Sequence, residues 1–331
     1  MKKIYPAKLQ SGDELRVIAP SRSMSIIGAD SREIAKKRFL ELGLKVSFGK
    51  HIEESDEFRS SSIKSRVSDI HDAFKDKKVK AVFTIIGGFN CNQILDYLDW
   101  EIIKNNPKIF CGFSDITALN NAIFQKTGLV NYSGPHYSTF SQKLHFDYTL
   151  EYFKKCLMED APFEILASEN WSDDPWYMDQ DKRILIKNEG LRSINNGTAE
   201  GTIIGGNLGT LSLLQGTSYF PIVKDAILFV EDDEMDGGMT DVSFDRRLQS
   251  LISMPQFKNV RGVVIGRFQN ASKMTIDKIT KIVKSKRELS KIPVIAGVDF
   301  GHTDPKITLP IGGEARLSAK GAKIKLEFTK H

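Results

Sequence analysis

The chain has 331 residues, of which 40 % are hydrophobic, and at roughly 150 residues per domain this length predicts two domains, each with a hydrophobic core. The formal net charge of +5 is spread along the chain, whereas a surface for a nucleic-acid polymer usually shows a basic cluster, so we expect no such partner. A mean hydropathy of −0.27 and the lack of an apolar run near 18 residues argue against a membrane-spanning helix.

The first half of the chain alternates short apolar runs with amphipathic segments. Strands are predicted over residues 15–20, 45–48, 79–86 and 109–112. Helices are predicted over residues 31–42, 63–74, 93–98 and 115–125. Because strands that alternate with helices are typical of βαβ units, this half predicts an α/β domain with a parallel sheet, residues 1–165.

A connecting loop is predicted over residues 166–197. It contains Trp171 and Trp176 among several aspartates and shows no clear hydrophobic period. Long segments of this kind inside compact folds are usually functional or disordered, and the tryptophans argue against disorder.

The second half of the chain, residues 198–331, predicts a mixed α/β domain. Strands are expected over residues 201–206, 226–231, 260–265 and 292–296, with short strands between 307 and 328. Helices are expected over residues 242–252 and 275–286, and from the strand at 201–206 through Leu214.

Ser114 stands where a predicted strand passes into a helix, and ligands bind at this edge of a parallel sheet. Its context, Gly112-Phe113-Ser114-Asp115-Ile116, resembles a nucleophile elbow, although Ile116 replaces the second glycine of that motif. Taken alone, the local sequence favours a simpler interpretation, in which Ser114 caps the N-terminus of the helix.

Glu231 ends an apolar strand and is a candidate to orient a catalytic histidine. It also begins the acidic run 231–234, which as an alternative would attract a divalent cation and support a metal-dependent hydrolase. His302 follows another strand in a turn-rich loop, a frequent position for catalytic side chains, and His136 is its rival.

Gly87 and Gly88 follow a third strand, and backbone amides at such a turn bind either a phosphate or a developing oxyanion. The pattern is not G-x-G-x-x-G, and no P-loop lysine follows. The oxyanion interpretation is the better one if Ser114 is a nucleophile.

The cysteines predict a reducing compartment. Cys91, Cys111 and Cys156 cannot all pair, and their spacing matches no zinc site. The N-terminal residues carry two lysines with no apolar stretch behind them, so we expect no secretory signal and a cytoplasmic location.

Five short segments in this order and spacing together resemble one family, the LD-carboxypeptidase serine peptidases, over essentially the whole chain. They are Ile86–Asn90, Gly112–Leu119, Gly205–Leu208, Leu228–Asp232 and Asp299–Thr303. The pattern around the nucleophile in this family is Gly-x-Ser-Asp. The segments Trp171–Tyr177 and Phe244–Gln249 resemble the branch that contains the microcin C immunity protein.

The resemblance implies a Ser–Glu–His triad at Ser114, Glu231 and His302, with the active site at the interface of the two domains. It also implies acyl transfer without a metal or organic cofactor, and a homodimer. Backbone amides near Gly88 and of Asp115 would then hold the oxyanion.

Two substrates compete under this resemblance. One is the bond between a peptidyl or aminoacyl group and a nucleotide, and the other is the L,D-amide of a murein tetrapeptide. The first is favoured if Trp176, or else Trp171, stacks on a base as the resemblance implies, with Gly87 also lining the substrate site. Both tryptophans would equally serve to anchor the loop.

Two further points stay open from the sequence. Arg246 and Arg267 are candidates to bind the carboxylate of a substrate, although ion pairing on a helix explains Arg246 as well. A non-catalytic protein that binds a small ligand between two α/β domains is the alternative of another class.

Overall fold

The computed structural model describes residues 2–331, which form two large β-sheets with helices packed on them. The strands are β1 (Glu14–Ile18), β2 (Lys45–Phe48), β3 (Val79–Thr84), β4 (Ile109–Cys111), β5 (Asn131–Ser133), β6 (Phe163–Glu164), β7 (Asn170–Trp171), β8 (Ile186–Lys187), β9 (Arg192–Asn195), β10 (Gly197–Asn207), β11 (Ala226–Glu231), β12 (Gly262–Gly266), β13 (Val294–Val298), β14 (Leu309–Ile311), β15 (Glu314–Lys320) and β16 (Lys323–Lys330). The helices are α1 (Ala29–Glu41), α2 (Ile63–Lys75), α3 (Trp100–Asn105), α4 (Thr117–Thr127), α5 (Asp147–Leu157), α6 (Leu208–Ser212), α7 (Thr240–Ile252) and α8 (Ile276–Lys284).

The first sheet is parallel except at one edge. Its strand order is β14-β5-β4-β3-β1-β2, and only β14 runs antiparallel to its neighbour. The apolar residues of strands β3 and β4 are all buried, as expected for a sheet covered by helices on both faces. The predicted parallel α/β sheet is therefore confirmed.

The second sheet is mixed. Its order is β6-β16-β15-β10-β11-β12-β13-β9, in which β10 to β13 are parallel and the pairings outside them are antiparallel. Polar and buried residues alternate along β15, which fits a strand with one solvated face. The predicted mixed α/β architecture is confirmed here as well.

The two sheets are joined tightly near the carboxyl ends of their parallel strands. The chain leaves the second sheet at β13 and enters the first sheet at β14, so the segment between them crosses from one sheet to the other. Helix α4 also bridges the sheets, because the Asn121 amide donates to the carbonyl oxygen of Gly205 at 2.9 Å. The backbone N–H of Asn207 donates to the Thr117 hydroxyl at 3.0 Å.

The prediction of a loop without regular structure over residues 166–197 is wrong in part, because the segment contains β7, β8 and β9. These strands form because they pair with partners distant in sequence, as β9 does with β13, and a local sequence pattern does not predict such pairing. Within residues 2–331, no helix is both long enough and apolar enough to cross a membrane.

Candidate active site

Ser114 lies on a sharp turn between β4 and α4. Its φ of 62° is in the left-handed region, which residues other than glycine rarely adopt. The interpretation of Ser114 as a helix cap is wrong: it is the first residue of a 3-10 helix whose N-cap is Phe113, and α4 has Ile116 as its N-cap without a side-chain hydrogen bond. The turn has the form of a nucleophile elbow, which leaves the serine hydroxyl free for another partner.

That partner is His302, which connects Ser114 to Glu231. The Nε2 atom of His302 lies 2.9 Å from Ser114 Oγ, and its Nδ1 atom lies 2.8 Å from Glu231 Oε2. Three side chains from separate parts of the chain thus form one line of hydrogen bonds. Ser114 follows β4, His302 follows β13, and Glu231 is the last residue of β11.

Glu231 is held rigidly at the end of β11, where it is 2 % exposed. Gly301 has a φ of 103°, and a Cβ on it would come within 2.5 Å of Glu231 Oε2. A Cβ on Gly266 would lie 2.8 Å from Glu231 Cβ. Only glycine fits on either side of the carboxylate, so the packing fixes its position relative to His302.

Opposing effects act on the imidazole. Burial lowers the pKa of His302, whereas the charge and hydrogen bond of Glu231, together with the charge of Asp233, raise it. The charge of Lys306 lowers it slightly, and the net pKa lies above the ordinary value. The carboxylate therefore stabilises the imidazolium that would form if His302 took a proton from Ser114.

The glycine turn lies directly against Ser114. A Cβ on Gly87 would be 2.9 Å from Ser114 Cβ and 3.1 Å from Ser114 Oγ. Gly88 follows Gly87 in this turn, and Asp115 follows Ser114, so their backbone N–H groups are the candidates to hold an oxyanion.

The side chain of Asp115 has a structural role that is separate from that of its backbone N–H. Its Oδ2 accepts hydrogen bonds from the Ser21 hydroxyl at 2.6 Å and from the backbone N–H groups of Asn90 and Cys91, both at 2.9 Å. Asp115 is 2 % exposed, so these bonds satisfy a buried carboxylate. They also tie the elbow to the ends of β1 and β3.

The acidic run after β11 is divided among different partners. Glu231 faces His302, and Asp232 accepts a hydrogen bond from Arg247 at 2.6 Å. Burial raises the pKa of Asp232 to about 6, with Arg247 acting against this shift. Residues 2–331 contain no group of three or more His, Cys, Asp or Glu side chains arranged to hold a metal ion.

His136 lies on the same side of the glycine turn as Ser114, because a Cβ on Gly87 would be 3.5 Å from its Nε2 atom. It is 2 % exposed, and its Nδ1 atom lies 2.7 Å from the Thr84 hydroxyl. Burial, with smaller contributions from the charges of Lys306 and His302, holds its pKa well below the ordinary value. The nitrogen that shares a hydrogen bond with the Ser114 hydroxyl is Nε2 of His302, not a nitrogen of this rival candidate.

The segment 171–185, called here the Trp loop, is attached beside His302. Ser172 and Asp304 exchange two backbone hydrogen bonds, of 2.7 and 2.8 Å. Asp174 and Arg183 form an ion pair whose side chains are 5 % and 3 % exposed. The loop is therefore a folded element fixed two residues from His302, rather than a mobile linker.

The two tryptophans differ in setting. Trp171 belongs to β7, and the Arg267 guanidinium lies 5.1 Å from the centre of its ring, so it serves as an anchor of the loop. Trp176 is partly buried, and its one aromatic neighbour among the described residues is Tyr177, at 6.0 Å between ring centres. Trp176 is thus the better candidate to contact a ligand.

The two arginines named from the sequence have other surroundings. Arg267 donates to Asp299 at 3.1 Å and to Asn188 at 2.7 Å, and its charge is thereby neutralised. Arg246 is exposed on α7. Ser21 and Arg22 are not among the site residues predicted from the sequence. They follow β1 at the same sheet edge, and because ligands bind at the carboxyl ends of parallel strands, this position could have indicated them.

Comparison with known proteins shows the family. Models of the LD-carboxypeptidase N-terminal domain and C-terminal domain match residues 15–134 and 200–317. The chain is 52 % identical to the Bacillus subtilis protein YocD, covering 99 % of this chain and 100 % of that one. It is 30 % identical to the microcin C7 self-immunity protein MccF of Escherichia coli, covering 98 % and 95 %.

A solved structure agrees with this result. The crystal structure of an MccF-like protein from Bacillus anthracis superposes with a TM-score of 0.98 at 53 % identity, covering 99 % of this chain and 100 % of that one. The fold predicted from the family resemblance is therefore confirmed. The chain belongs to the LD-carboxypeptidase family and is a carboxypeptidase-type hydrolase.

Proposed function

We propose that this protein is a serine hydrolase in which Ser114 is the nucleophile, His302 the general base and Glu231 the residue that orients the histidine. The observation that carries the proposal is the line of two hydrogen bonds, 2.9 Å from Ser114 to His302 and 2.8 Å from His302 to Glu231. A nucleophile, a base and an orienting carboxylate in this geometry are the parts of a triad.

In the first half of the reaction, Ser114 Oγ attacks the scissile carbonyl carbon while His302 Nε2 takes the hydroxyl proton. The N–H groups of Gly88 and Asp115 donate to the oxyanion that develops. When the C–N bond breaks, His302 returns the proton to the leaving nitrogen. Water then attacks the acyl-enzyme, with His302 again as base, and releases the acid and free Ser114.

The substrate we propose is a peptidyl- or aminoacyl-nucleotide. Trp176 lies on a folded loop that is bonded to the chain two residues after His302, and Gly87 lies against the nucleophile. A partly exposed indole at that place is suited to stack on a nucleobase. In support, MccF has been solved in complex with glutamyl sulfamoyl guanosine and with aspartyl sulfamoyl adenosine.

A murein tetrapeptide is the second candidate. The murein tetrapeptide carboxypeptidase of Pseudomonas aeruginosa is 24 % identical to this chain over 304 residues. In this chain, removal of one terminal residue from a peptide would use the same triad and no stacking residue.

The test is a side-by-side assay of an aminoacyl sulfamoyl adenosine and a murein tetrapeptide with wild-type protein, Trp176→Ala and Tyr97→Ala. Tyr97 is the control, because it is an aromatic side chain outside the Trp loop and is 60 % exposed. We expect Trp176→Ala to lose turnover of the adenosine compound by about 10-fold or more, the magnitude of one lost stacking contact. Equal turnover of the adenosine compound by all three proteins would refute stacking by Trp176. If wild type hydrolyses only the tetrapeptide, the second candidate is favoured.

We further propose a cytoplasmic homodimer. The three cysteines are all free and buried, which suits a reducing compartment. Tyr177, Met178 and Ile184 of the Trp loop are 68 %, 77 % and 69 % exposed, and a second copy of the chain would cover such apolar side chains. Light scattering on the purified protein should give twice the mass of 37.2 kDa, and a monomer mass would refute the dimer.

A further inference from the structure

Among residues 2–331, one arginine near the candidate nucleophile has a side chain without a hydrogen-bond or ion-pair partner. Most arginines of the chain donate to a carboxylate or to a carbonyl oxygen, as Arg183 does to Asp174 and Arg66 to Asn90. Within residues 2–331, Arg22, Arg59 and Arg246 make no such bond. Arg59 and Arg246 are exposed, whereas Arg22 is partly buried and its Nε atom is shielded from solvent.

The position of Arg22 relates it directly to the elbow. Its backbone N–H donates to the carbonyl oxygen of Gly87 at 3.3 Å, and its Cγ lies 2.6 Å from the place a Cβ on Gly88 would take. The adjacent residue, Ser21, donates to Asp115 at 2.6 Å. The stem of Arg22 therefore runs across the glycine turn whose other side touches Ser114.

A guanidinium that is partly removed from water without a counter-charge is unfavourable, because the lost hydration is not replaced. Such a group is stabilised when a ligand supplies the missing acceptor oxygens. Arginine presents a planar fork of donors that matches carboxylate and phosphate oxygens.

The other cations around the site are already neutralised. Lys306 is paired with Asp304, Arg247 with Asp232, and Arg267 with Asp299. Arg22 is thus the cation beside the elbow with donors to spare. Both proposed substrates carry an anionic group close to the bond that is cut.

We propose that Arg22 binds an anionic oxygen group of the substrate beside the scissile bond. The group is either the terminal carboxylate of a peptide or the acidic phosphate-type linker of an aminoacyl-nucleotide, which offer the same acceptor chemistry. The inference rests on the proposed function, since it takes Ser114 as the nucleophile. Arg22 acts in substrate binding and does not take part in proton transfer.

The test compares wild type, Arg22→Gln, Arg22→Lys and a control, Arg287→Gln, which removes one charge from a side chain that is 94 % exposed. Steady-state kinetics are measured with a tetrapeptide acid, the same peptide as its C-terminal amide, and an aminoacyl sulfamoyl adenosine. Losing a charged hydrogen-bonding partner should raise KM by about 10- to 100-fold for Arg22→Gln, with kcat nearly unchanged. The KM of Arg22→Lys should lie between those of wild type and Arg22→Gln, because lysine keeps the positive charge but lacks the planar fork of donors.

The substrates separate the two sources of the anion. If Arg22 binds a terminal carboxylate, Arg22→Gln weakens turnover of the tetrapeptide acid and leaves that of the amide at the wild-type level. If it binds the linker, the loss is confined to the adenosine compound. A KM for Arg22→Gln equal to that of wild type and of Arg287→Gln, on every substrate that wild type hydrolyses, overturns the inference.

A binding experiment keeps this result separate from failure of the proposed function. Calorimetric titration of tetrapeptide acid and of adenosine monophosphate into Ser114→Ala protein, with and without Arg22→Gln, requires no turnover. Thermal unfolding checks that both variants are folded. If wild type hydrolyses none of the substrates, the proposed function fails, and Arg22 is still supported by a 10- to 100-fold weaker Kd in Arg22→Gln. No binding, or equal binding by both variants, refutes it.

Discussion

Replacement of Gly87 by alanine should reduce activity strongly while the protein stays folded. The new Cβ would lie 2.9 Å from Ser114 Cβ, whereas carbon atoms in contact are separated by about 3.5 Å or more. One of the two residues must therefore move by about 0.6 Å. The φ of Gly87 is not in the left-handed region, so the change adds no backbone strain of its own.

A shift of that size acts on the 2.9 Å hydrogen bond between Ser114 and His302. Misplacement of reacting groups by about 1 Å reduces rates by roughly 100-fold, so we expect a loss of about 10- to 100-fold in kcat/KM for Gly87→Ala. The assay is the rate of acylation by a serine-directed fluorophosphonate, together with substrate hydrolysis. Gly238→Ala is the matched control, because nothing lies within 4 Å of a Cβ at that exposed glycine. Acylation of Gly87→Ala within twofold of wild type would refute the close packing of the glycine turn on the nucleophile.

Three other changes test separate parts of the site. Glu231→Gln removes the charge that raises the pKa of His302, so the acid limb of the pH profile of kcat/KM should move to lower pH. The plateau of that profile should fall by about 10³- to 10⁴-fold. An acid limb at the wild-type pH would contradict the pairing of Glu231 with His302. Asp115→Asn replaces an acceptor of three hydrogen bonds and should lower the free energy of unfolding by about 1–3 kcal/mol in urea denaturation, so unchanged stability would count against it. Arg183→Gln leaves the buried carboxylate of Asp174 without its ion-pair partner, so amide hydrogen exchange in the Trp loop should become faster. Lys182→Gln is the control, because the Lys182 side chain is 86 % exposed, and it should leave the exchange rates unchanged. Equal exchange rates in the two variants would argue against the ion pair as the anchor of the loop.

Parallel strands and the residues at their ends could be predicted from the sequence because both leave local signals. Apolar runs closed by glycine or proline identify β1, β3 and β4, and an apolar run closed by acidic residues identifies β11. Each run ends close to the edge where the site lies. The position at a strand end makes Ser114 and Glu231 candidates, although the local sequence of Ser114 alone favours a helix cap. His302 follows a predicted strand in a turn-rich loop, and the family resemblance implies its role over that of His136.

Other features depend on contacts distant in sequence and leave no such signal. Helix α5 begins after Phe146, which offers no side-chain cap, so the acidic Asp147 in its first turn is a weak signal of its start. Strand β5 has three residues, two of them polar, and exists because β4 and β14 pair with it. The left-handed φ of Ser114 and the missing partner of Arg22 appear only when the ends of several strands are placed side by side.

The assignment of Ser114 as nucleophile is the central claim, and covalent labelling tests it most directly. Wild-type protein and Ser114→Ala are treated with a fluorophosphonate, and the adduct is measured by intact-mass spectrometry and located by peptide mapping. We predict one adduct per chain in wild type, on Ser114, formed in parallel with the loss of hydrolysis, and none in Ser114→Ala. An adduct on another residue, or hydrolysis by Ser114→Ala at the wild-type rate, would contradict the claim.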